Sequence, residues 1–351
     1  MKRRSFLKNS AMVSAAAFTG SQRIIGNTLQ EDHFSQKIKP RRLNKGDTVG
    51  LIAPAGYITQ KDLDESIKNL DKLGLKAYYT DNILERNGYL GGSDEHRSVD
   101  LNNMFSNDKV DGIMCARGGS GCNRILPMID YDVIKSNPKV LVGYSDITAL
   151  HNAIFRKTGL VTFHGPVATS TFNDFSNHNF INTVMEPKSE FTFTPSDDYR
   201  KGEDFEIYTI REGKAEGELI GGNLRIVVTL PGTPYDVDFR DKILYLEEVD
   251  EKPYRIDRML TELILAGKLQ QVAGIALGVF RKCDKKVGSQ RGERTFSLKE
   301  VLFDRLYELG VPVIYGLSFG HIENKYTLPF GIKAKLDVMN QTITLKEKAV
   351  I

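Results

Sequence analysis

The chain has 351 residues, of which 40% are hydrophobic and 26% are charged, and its formal net charge is +3 at pH 7. This composition is typical of a soluble globular protein and excludes a disordered, collagenous or fibrous chain. The small net charge, with no basic stripe interleaved with aromatic residues, argues against a nucleic-acid partner. Three cysteines without C-x-x-C spacing argue against a disulfide framework and a zinc cluster. We therefore expect no metal and no other cofactor.

Residues 1–26 have the pattern of an export signal. A basic start is followed by a short run of apolar and small residues at 11–18, which is too short to span a bilayer. The run R-R-S-F-L-K at 3–8 resembles a twin-arginine signal, which a receptor reads and which is not an anchor. An amphipathic or disordered N-terminus is the alternative. The sequence predicts a periplasmic protein without stable membrane insertion.

The next part of the chain alternates between strand-like and helix-like patterns. The predicted strands are 47–55, 75–80, 110–116 and 139–142, and the predicted helices are 61–73, 96–105 and one that follows 147. Such alternation predicts a parallel sheet with helices on both faces. Ligands of these sheets bind beyond the carboxyl ends of the strands. We assign this first domain to residues 45–170.

The second half of the chain has a different character. Residues 171–213 are polar and aromatic with little periodicity, and we expect a linker with irregular strands there. Residues 214–346 carry strand patterns at 217–222, 242–248 and 272–280, helix patterns at 254–266 and 298–309, and a hairpin pattern within 327–346. These patterns predict a second, mixed α/β domain over 214–346.

Ser145 lies where a strand pattern turns directly into a helix pattern. A sharp strand-to-helix turn of this kind exposes a serine hydroxyl in nucleophile elbows, and the amides at the helix start can face an oxyanion. The G-x-S-x-G motif is incomplete, because Ile147 occupies the position of the second glycine. The alternative is a helix cap, in which Ser145 or Asp146 bonds the amides of the first turn.

A glycine-rich turn, A-R-G-G-S-G at 116–121, follows another strand pattern. Glycines allow the backbone to approach a ligand closely and to turn its amides inward. This turn matches neither the phosphate-binding P-loop nor the dinucleotide-binding G-x-G-x-x-G motif. It could complete an oxyanion hole, cradle a phosphate, or be a plain turn.

Two further predicted strands end in residues that can act as an acid or a base. Glu247 and Glu248 end an apolar run, and His321 follows a glycine at the end of another. A serine nucleophile needs a base, histidine has a suitable pKa, and a carboxylate can fix the histidine tautomer. Because side chains alternate along a strand, only one of the two glutamates should face His321. The alternatives are a structural or surface histidine and a solvated strand end.

These segments together resemble peptidase family S66, the LD-carboxypeptidases. The resemblance covers about 45–340 and rests on the order and spacing of the segments 47–54, 117–119 (R-G-G), 143–146 (G-Y-S-D), 221–223 (G-G-N), 246–248 (L-E-E), 253–258 (P-Y-R-I-D-R) and 320–321 (G-H). Members of this family cut the bond between an L-residue and a terminal D-residue, typically D-alanine of a peptidoglycan tetrapeptide.

The resemblance implies specific roles. Ser145 would be the nucleophile, His321 the general base and then acid, and Glu247 the orienting carboxylate. The oxyanion hole would be formed by the backbone N–H groups of Gly119 and Asp146. The residues expected to bind substrate are Arg117, Asn223 and Tyr144.

The expected fold is a flavodoxin-like parallel-sheet domain followed by a smaller mixed α/β domain, with the active site between them. The expected partner is a muropeptide substrate, and the family also suggests a homodimer. Two alternatives stay open: hydrolysis of a peptide–nucleotide antibiotic, which the absence of tryptophan disfavours, and an exported two-lobed binding protein without catalysis. Separations above about 10 Å between the three side chains, far outside hydrogen-bond reach, would favour the binding protein.

Overall fold

The computed structural model describes residues 36–196, 205–284 and 295–351. The predicted export signal at 1–26 lies outside the described residues. Within these ranges no helix combines the length and the apolar character that crossing a membrane requires.

The strands follow one another along the chain in this order: β1 (Thr48–Ile52), β2 (Lys76–Tyr78), β3 (Gly112–Cys115), β4 (Val140–Gly143), β5 (Phe163–His164), β6 (Phe191–Phe193), β7 (Tyr208–Arg211), β8 (Lys214–Asn223), β9 (Ile243–Val249), β10 (Gly274–Arg281), β11 (Val313–Gly320), β12 (Leu328–Pro329), β13 (Lys333–Asp337) and β14 (Thr342–Leu345). The α-helices are α1 (Gln60–Lys72), α2 (Asp94–Ser106), α3 (Cys122–Ile125), α4 (Tyr131–Ser136), α5 (Thr148–Thr158), α6 (Asp174–Phe180), α7 (Leu224–Val227), α8 (Pro253–Leu265) and α9 (Leu298–Leu306).

The first sheet has the strand order β12-β5-β4-β3-β1-β2. Its strands β1 to β5 are all parallel, and their order 2-1-3-4-5 is the flavodoxin-like one. The predicted flavodoxin-like domain is therefore confirmed. In this topology the strand order reverses between β1 and β3, and ligands bind beyond the carboxyl ends of the strands at that point.

Alternating side chains of β1 place helices on both faces of this sheet. Leu51 belongs to the apolar cluster that contains Leu63 of α1. Its neighbour Ile52 belongs to a second cluster, with Leu101 of α2 and Leu150 of α5. A strand buried on both faces reads as a continuous apolar run, which is the pattern found at 47–55.

The second sheet is mixed and has the order β6-β14-β13-β8-β9-β10-β11-β7. Its four central strands, β8 to β11, are parallel neighbours. The outer strands pair antiparallel, and β13 and β14 form the hairpin predicted near the C-terminus. The mixed α/β character is confirmed. This sheet has two strands more than the first.

The segment 171–213 contains more regular structure than expected. It includes α6, a π-helical turn at Ile181–Met185, and the edge strands β6 and β7 of the second sheet. Asn173 starts α6 by accepting a hydrogen bond from the amide of Ser176 at 2.9 Å. Helix α6 is only seven residues long, so it offers too few turns for an apolar period to show in the sequence. The boundaries 45–170, 171–213 and 214–346 stay predictions.

The first sheet includes one strand from the C-terminal part of the chain. Strand β12 leaves the second half of the chain and pairs antiparallel with β5 of the first sheet, where Leu328 lies opposite His164. The stretch that follows β11, and that includes His321, is therefore held against the first sheet.

Candidate active site

The side chains of interest lie at the carboxyl ends of parallel strands. In the first sheet, Ser145 follows β4 and the glycine-rich turn follows β3. In the second sheet, Asn223 ends β8, Glu247 lies near the end of β9 and His321 follows β11. This placement follows from the topology, because parallel neighbours end at the same edge of a sheet.

The backbone of Ser145 adopts the conformation expected of an exposed nucleophile. Its φ is +65°, in the left-handed region that non-glycine residues rarely occupy. A 3₁₀ turn (Ser145–Ile147) begins at this residue and leads directly into α5. Such strained turns cost about 1–3 kcal/mol and cluster at functional sites. Gly143 is needed before the turn, because a Cβ there would lie 2.9 Å from the side chain of Ile147.

The glycine-rich turn packs directly against Ser145. A Cβ on Gly118 would lie 2.8 Å from Ser145 Cβ and 3.1 Å from Ser145 Oγ. The carbonyl of Gly118 accepts a hydrogen bond from the amide of Gly56 at 3.1 Å, which joins the loops after β1 and β3. Gly119 has φ +134°, and a Cβ there would collide with the backbone of Gly56. Only glycines allow the turn to approach the serine this closely.

Ser145, His321 and Glu247 form a continuous hydrogen-bonded chain. Nδ1 of His321 lies 2.7 Å from Glu247 Oε2, and its Nε2 lies 3.1 Å from Ser145 Oγ. Burial acts to raise the pKa of Glu247, but the adjacent His321 has the larger combined effect. The pKa of Glu247 is therefore lowered. An ionised Glu247 only accepts, so Nδ1 carries the proton and Nε2 accepts from the serine hydroxyl. The arrangement can remove a proton from Ser145.

The two neighbouring glutamates do different things. Glu247 is completely buried and faces His321. Glu248 faces the other way, where its carboxylate accepts hydrogen bonds from the amides of Arg225 and Val249, both at 2.9 Å. Burial, and then the charge of Glu247, raise the pKa of Glu248. The expected alternation is confirmed. Glu248 accepts a hydrogen bond from a backbone amide in the first turn of α7.

Gly320 lets His321 approach Glu247. Its φ is +110°, and a Cβ there would lie 3.0 Å from Glu247 Cβ and 3.1 Å from Glu247 Oε2. The carbonyl of His321 accepts a hydrogen bond from Arg281 Nη1 at 2.9 Å. Backbone and guanidinium together fix the position of the imidazole.

The other predicted site residues differ in their surroundings. Tyr144 packs edge-on against His321, with ring centroids 4.9 Å apart. Asn223 is buried, and its amide group donates to Glu248 Oε1 at 3.3 Å.

Arg117 is exposed and donates to the carbonyl of Tyr57 at 3.2 Å. The buried carboxylate of Asp146 accepts from the amide of Cys122 at 2.8 Å, so only its backbone N–H is left for the predicted oxyanion hole.

A cavity of about 550 Å³ opens beside Tyr144 and His321. Its wall includes three basic residues that the sequence analysis did not identify, Arg281, Lys282 and Lys325. Lys325 lies four residues beyond His321, and this proximity was the only signal in the sequence. Arg117, in contrast, does not line this cavity.

His164 was also missed. It is buried behind Tyr144, with ring centroids 6.1 Å apart. Within the described ranges, neither of its ring nitrogens has a hydrogen-bond partner, and the same holds for Glu247 Oε1. Burial lowers the pKa of His164 to about 3, so its ring is neutral behind the site.

The geometry bears on the alternatives considered above. The separations between Ser145, His321 and Glu247 are those of direct hydrogen bonds, so the condition set for a non-catalytic binding protein is not met. In the part of the chain that the structure describes, no three histidine, cysteine or acidic side chains are grouped so that they could hold a metal ion.

Comparison with known families gives two matches, one in each half of the chain. Residues 49–165 match the peptidase S66 model described as the LD-carboxypeptidase N-terminal domain. Residues 216–336 match the model described as the LD-carboxypeptidase C-terminal domain.

Individual relatives and structures are similar over most of their length. The "probable murein peptide carboxypeptidase" of Bacillus subtilis is 40% identical over 319 residues, which cover 89% of this chain and 96% of the relative. The murein tetrapeptide carboxypeptidase of Pseudomonas aeruginosa is 31% identical, covering 82% and 92%. The structure of the microcin C7 self-immunity protein MccF with aspartyl sulfamoyl adenosine has a TM-score of 0.80 at 27% identity, covering 90% and 100%. MccF of Escherichia coli is 30% identical in a sequence comparison that covers 86% of this chain and 94% of the relative.

Proposed function

The chain belongs to peptidase family S66, the LD-carboxypeptidases, and from this we propose that it releases the terminal D-alanine of peptidoglycan tetrapeptides as a serine carboxypeptidase. The observation that carries the proposal is the hydrogen-bonded chain from Glu247 through His321 to Ser145. The resemblance to murein peptide and murein tetrapeptide carboxypeptidases supports the substrate class.

The first half of the reaction forms an acyl-enzyme. Ser145 Oγ attacks the carbonyl of the L,D-peptide bond while its proton passes to His321 Nε2. Glu247 stabilises the resulting imidazolium through Nδ1–H and does not itself take the proton. The negative charge that develops on the carbonyl oxygen is received by the backbone N–H groups of Gly119 and Asp146. His321 then gives its proton to the amine of the leaving D-alanine, and the C–N bond breaks.

The second half regenerates the enzyme. Water gives a proton to His321 Nε2 and attacks the ester carbonyl, and the same two amides hold the charge. His321 then returns the proton to Ser145 Oγ as the ester bond breaks. The shortened peptide leaves with a new terminal carboxylate.

The substrate class can be tested by stereochemistry. The purified protein should release alanine from L-Ala-γ-D-Glu-meso-diaminopimelate-D-Ala, and the matched peptide with terminal L-Ala should be cleaved at a far lower rate. Equal cleavage of both peptides would contradict an L,D-carboxypeptidase.

A second candidate is hydrolysis of a peptide–nucleotide conjugate. The specific observation in its favour is the similarity to MccF, whose structure was solved with aspartyl sulfamoyl adenosine. Release of aspartate from that compound, without release of D-alanine from the tetrapeptide, would favour this candidate over the carboxypeptidase.

We propose further that residues 1–26 direct export, so that the enzyme meets wall peptides outside the cytoplasm. The twin-arginine-like run at 3–8 supports this. Replacing Arg3 and Arg4 together by lysine should retain the full chain in the cytoplasmic fraction. An unchanged distribution would contradict a twin-arginine signal. The homodimer stays a prediction that sedimentation of the purified protein can test.

A further inference from the structure

Lys325 is a buried cation beside the candidate active site. It is only 5% exposed and lines the cavity next to His321. Its Nζ lies 3.4 Å from Ser170 Oγ and 4.7 Å from the centroid of the Tyr144 ring. The same phenol ring also contacts His321, at 4.9 Å between centroids. The ammonium and the imidazole therefore contact the same ring.

Among the described residues, the charge of Lys325 has no carboxylate within 4.0 Å of its Nζ. This Nζ donates a hydrogen bond to Ser170 Oγ. Burial lowers its pKa to about 8, against the opposing effects of Glu247 and Glu323. An ammonium that is buried without a counter-ion costs free energy. A binding partner that brings a carboxylate would remove this cost.

The cavity wall has more basic than acidic groups. Arg281 and the exposed Lys282 line it together with Lys325, and its acidic residues are the exposed Asp250 and Glu323. An anion that enters from solvent would therefore meet more positive than negative groups on the described part of the wall.

The leaving residue of a carboxypeptidase substrate must lie close to the catalytic base. His321 protonates the leaving amine in the proposed function, and the terminal carboxylate belongs to that same residue. One residue of chain spans at most about 3.6 Å, so the cation that receives this carboxylate must also lie near His321. Lys325 meets this condition, whereas Arg117 is exposed, bonds Tyr57 and lies outside the cavity wall.

We propose that Lys325, in the cavity shared with Tyr144 and His321, binds the C-terminal carboxylate of the substrate and makes the enzyme select peptides with a free terminus. This inference rests on the proposed function. It assigns to Lys325 a part in substrate binding for which the sequence analysis had named Arg117.

The test is a cycle of variants and substrates. The substrates are the tetrapeptide L-Ala-γ-D-Glu-meso-diaminopimelate-D-Ala, its C-terminal amide, and the analogue with L-lysine at position three, which lacks the side-chain carboxylate there. Release of the terminal residue is measured by mass spectrometry for the wild type, Lys325→Gln and Arg117→Gln. Lys76→Gln, a change of an exposed lysine on the edge strand β2, controls for removal of one charge.

We expect the wild type to prefer the free acid over the amide by about 10- to 100-fold in kcat/KM, as charge-assisted hydrogen bonds allow. Lys325→Gln should reduce this preference to within about threefold by raising KM for the acid, and should change hydrolysis of the amide little. Arg117→Gln and Lys76→Gln should keep the preference. If Lys325→Gln does not fold, Lys325→Met takes its place, because it keeps the volume without polar atoms.

Several results would overturn the inference. An equal loss on all three substrates would make Lys325 a structural residue. If Lys325→Gln changed only the discrimination between diaminopimelate and L-lysine at position three, Lys325 would bind the side-chain carboxylate there and not the terminal one. If Arg117→Gln lost the preference for the free acid over the amide, Arg117 would be the residue that binds the terminal carboxylate. Absence of cleavage by the wild type would instead reject the proposed function, and the inference with it.

Discussion

Gly118 lies so close to Ser145 that a side chain at position 118 would collide with the Cβ of the serine. A Cβ there would be 2.8 Å from Ser145 Cβ, a separation that real Cβ contacts essentially never show. The glycine-rich turn at 116–121 and the turn that begins at Ser145 are thus packed together. The proposed nucleophile therefore lies beside the proposed oxyanion hole.

Gly118→Ala is expected to displace Ser145 and lower kcat/KM by about 10²-fold, because a misplacement of about 1 Å in an active site can cost that much. Gly88→Ala is the control, since a Cβ there meets no atom within 4 Å. The control should cost about 1 kcal/mol of unfolding free energy, because its φ is +64°, and leave the kinetics unchanged. Unchanged kinetics in Gly118→Ala would refute this close packing.

The two glutamates are expected to separate activity from stability. Glu247→Gln should lower kcat by about 10²- to 10⁴-fold, because an amide cannot stabilise the imidazolium of His321 or fix its tautomer. Glu248→Gln should leave kcat within a few-fold and cost about 1–3 kcal/mol of unfolding free energy, since one carboxylate oxygen that accepts a backbone amide is lost. Steady-state kinetics and urea unfolding measure the two effects. The reverse pattern would mean that Glu248 is the functional acid.

Replacing Ser145 by glycine is expected to stabilise the fold while abolishing activity. The φ of +65° disfavours any residue with a Cβ by about 1 kcal/mol, and glycine removes that strain. Ser145→Gly should therefore unfold at higher urea than Ser145→Ala, which retains the Cβ and the strain. Equal stability of the two inactive variants would show that the turn relaxes and stores no strain.

Lys325 is expected to make stability depend on pH in an unusual direction. Burial lowers its pKa from 10.5 to about 8, so between these values the unfolded chain binds one more proton at this residue than the folded chain. Rising pH then favours the folded state at this residue. The unfolding free energy of the wild type relative to Lys325→Met should rise by about 2 kcal/mol from pH 7 to pH 10. A flat difference would mean that Lys325 is not buried as a charge.

The sequence predicts much of this fold because its central strands are buried on both faces. Continuous apolar runs such as 110–116 and 242–248 mark them. The observed strand Gly112–Cys115 lies inside the first run, and Ile243–Val249 is shifted by one residue from the second. Edge strands have no such signal. Phe191–Phe193 and Tyr208–Arg211 are short and partly exposed, and their pairing depends on distant strands.

A residue of the candidate site can be predicted from the sequence only where a short local motif marks it. Ser145, two residues after Gly143, and His321, directly after Gly320, can be found in the sequence, and family resemblance indicates which glutamate belongs with them. Lys325 could not be found in this way, because its burial depends on Ser170 and Tyr144, which lie more than 150 residues earlier in the chain. Similarly, the ring of His164, which lies in β5 of the first sheet, is packed against Tyr245 and Phe319 of the second sheet, far along the chain.

The most direct measurement compares D-alanine release from L-Ala-γ-D-Glu-meso-diaminopimelate-D-Ala by the wild-type protein and by Ser145→Ala. We expect release by the wild type and a loss of at least about 10³-fold in the variant, which should fold normally. Release at equal rates by both proteins would contradict Ser145 as the nucleophile. Release by neither would contradict the proposed carboxypeptidase activity.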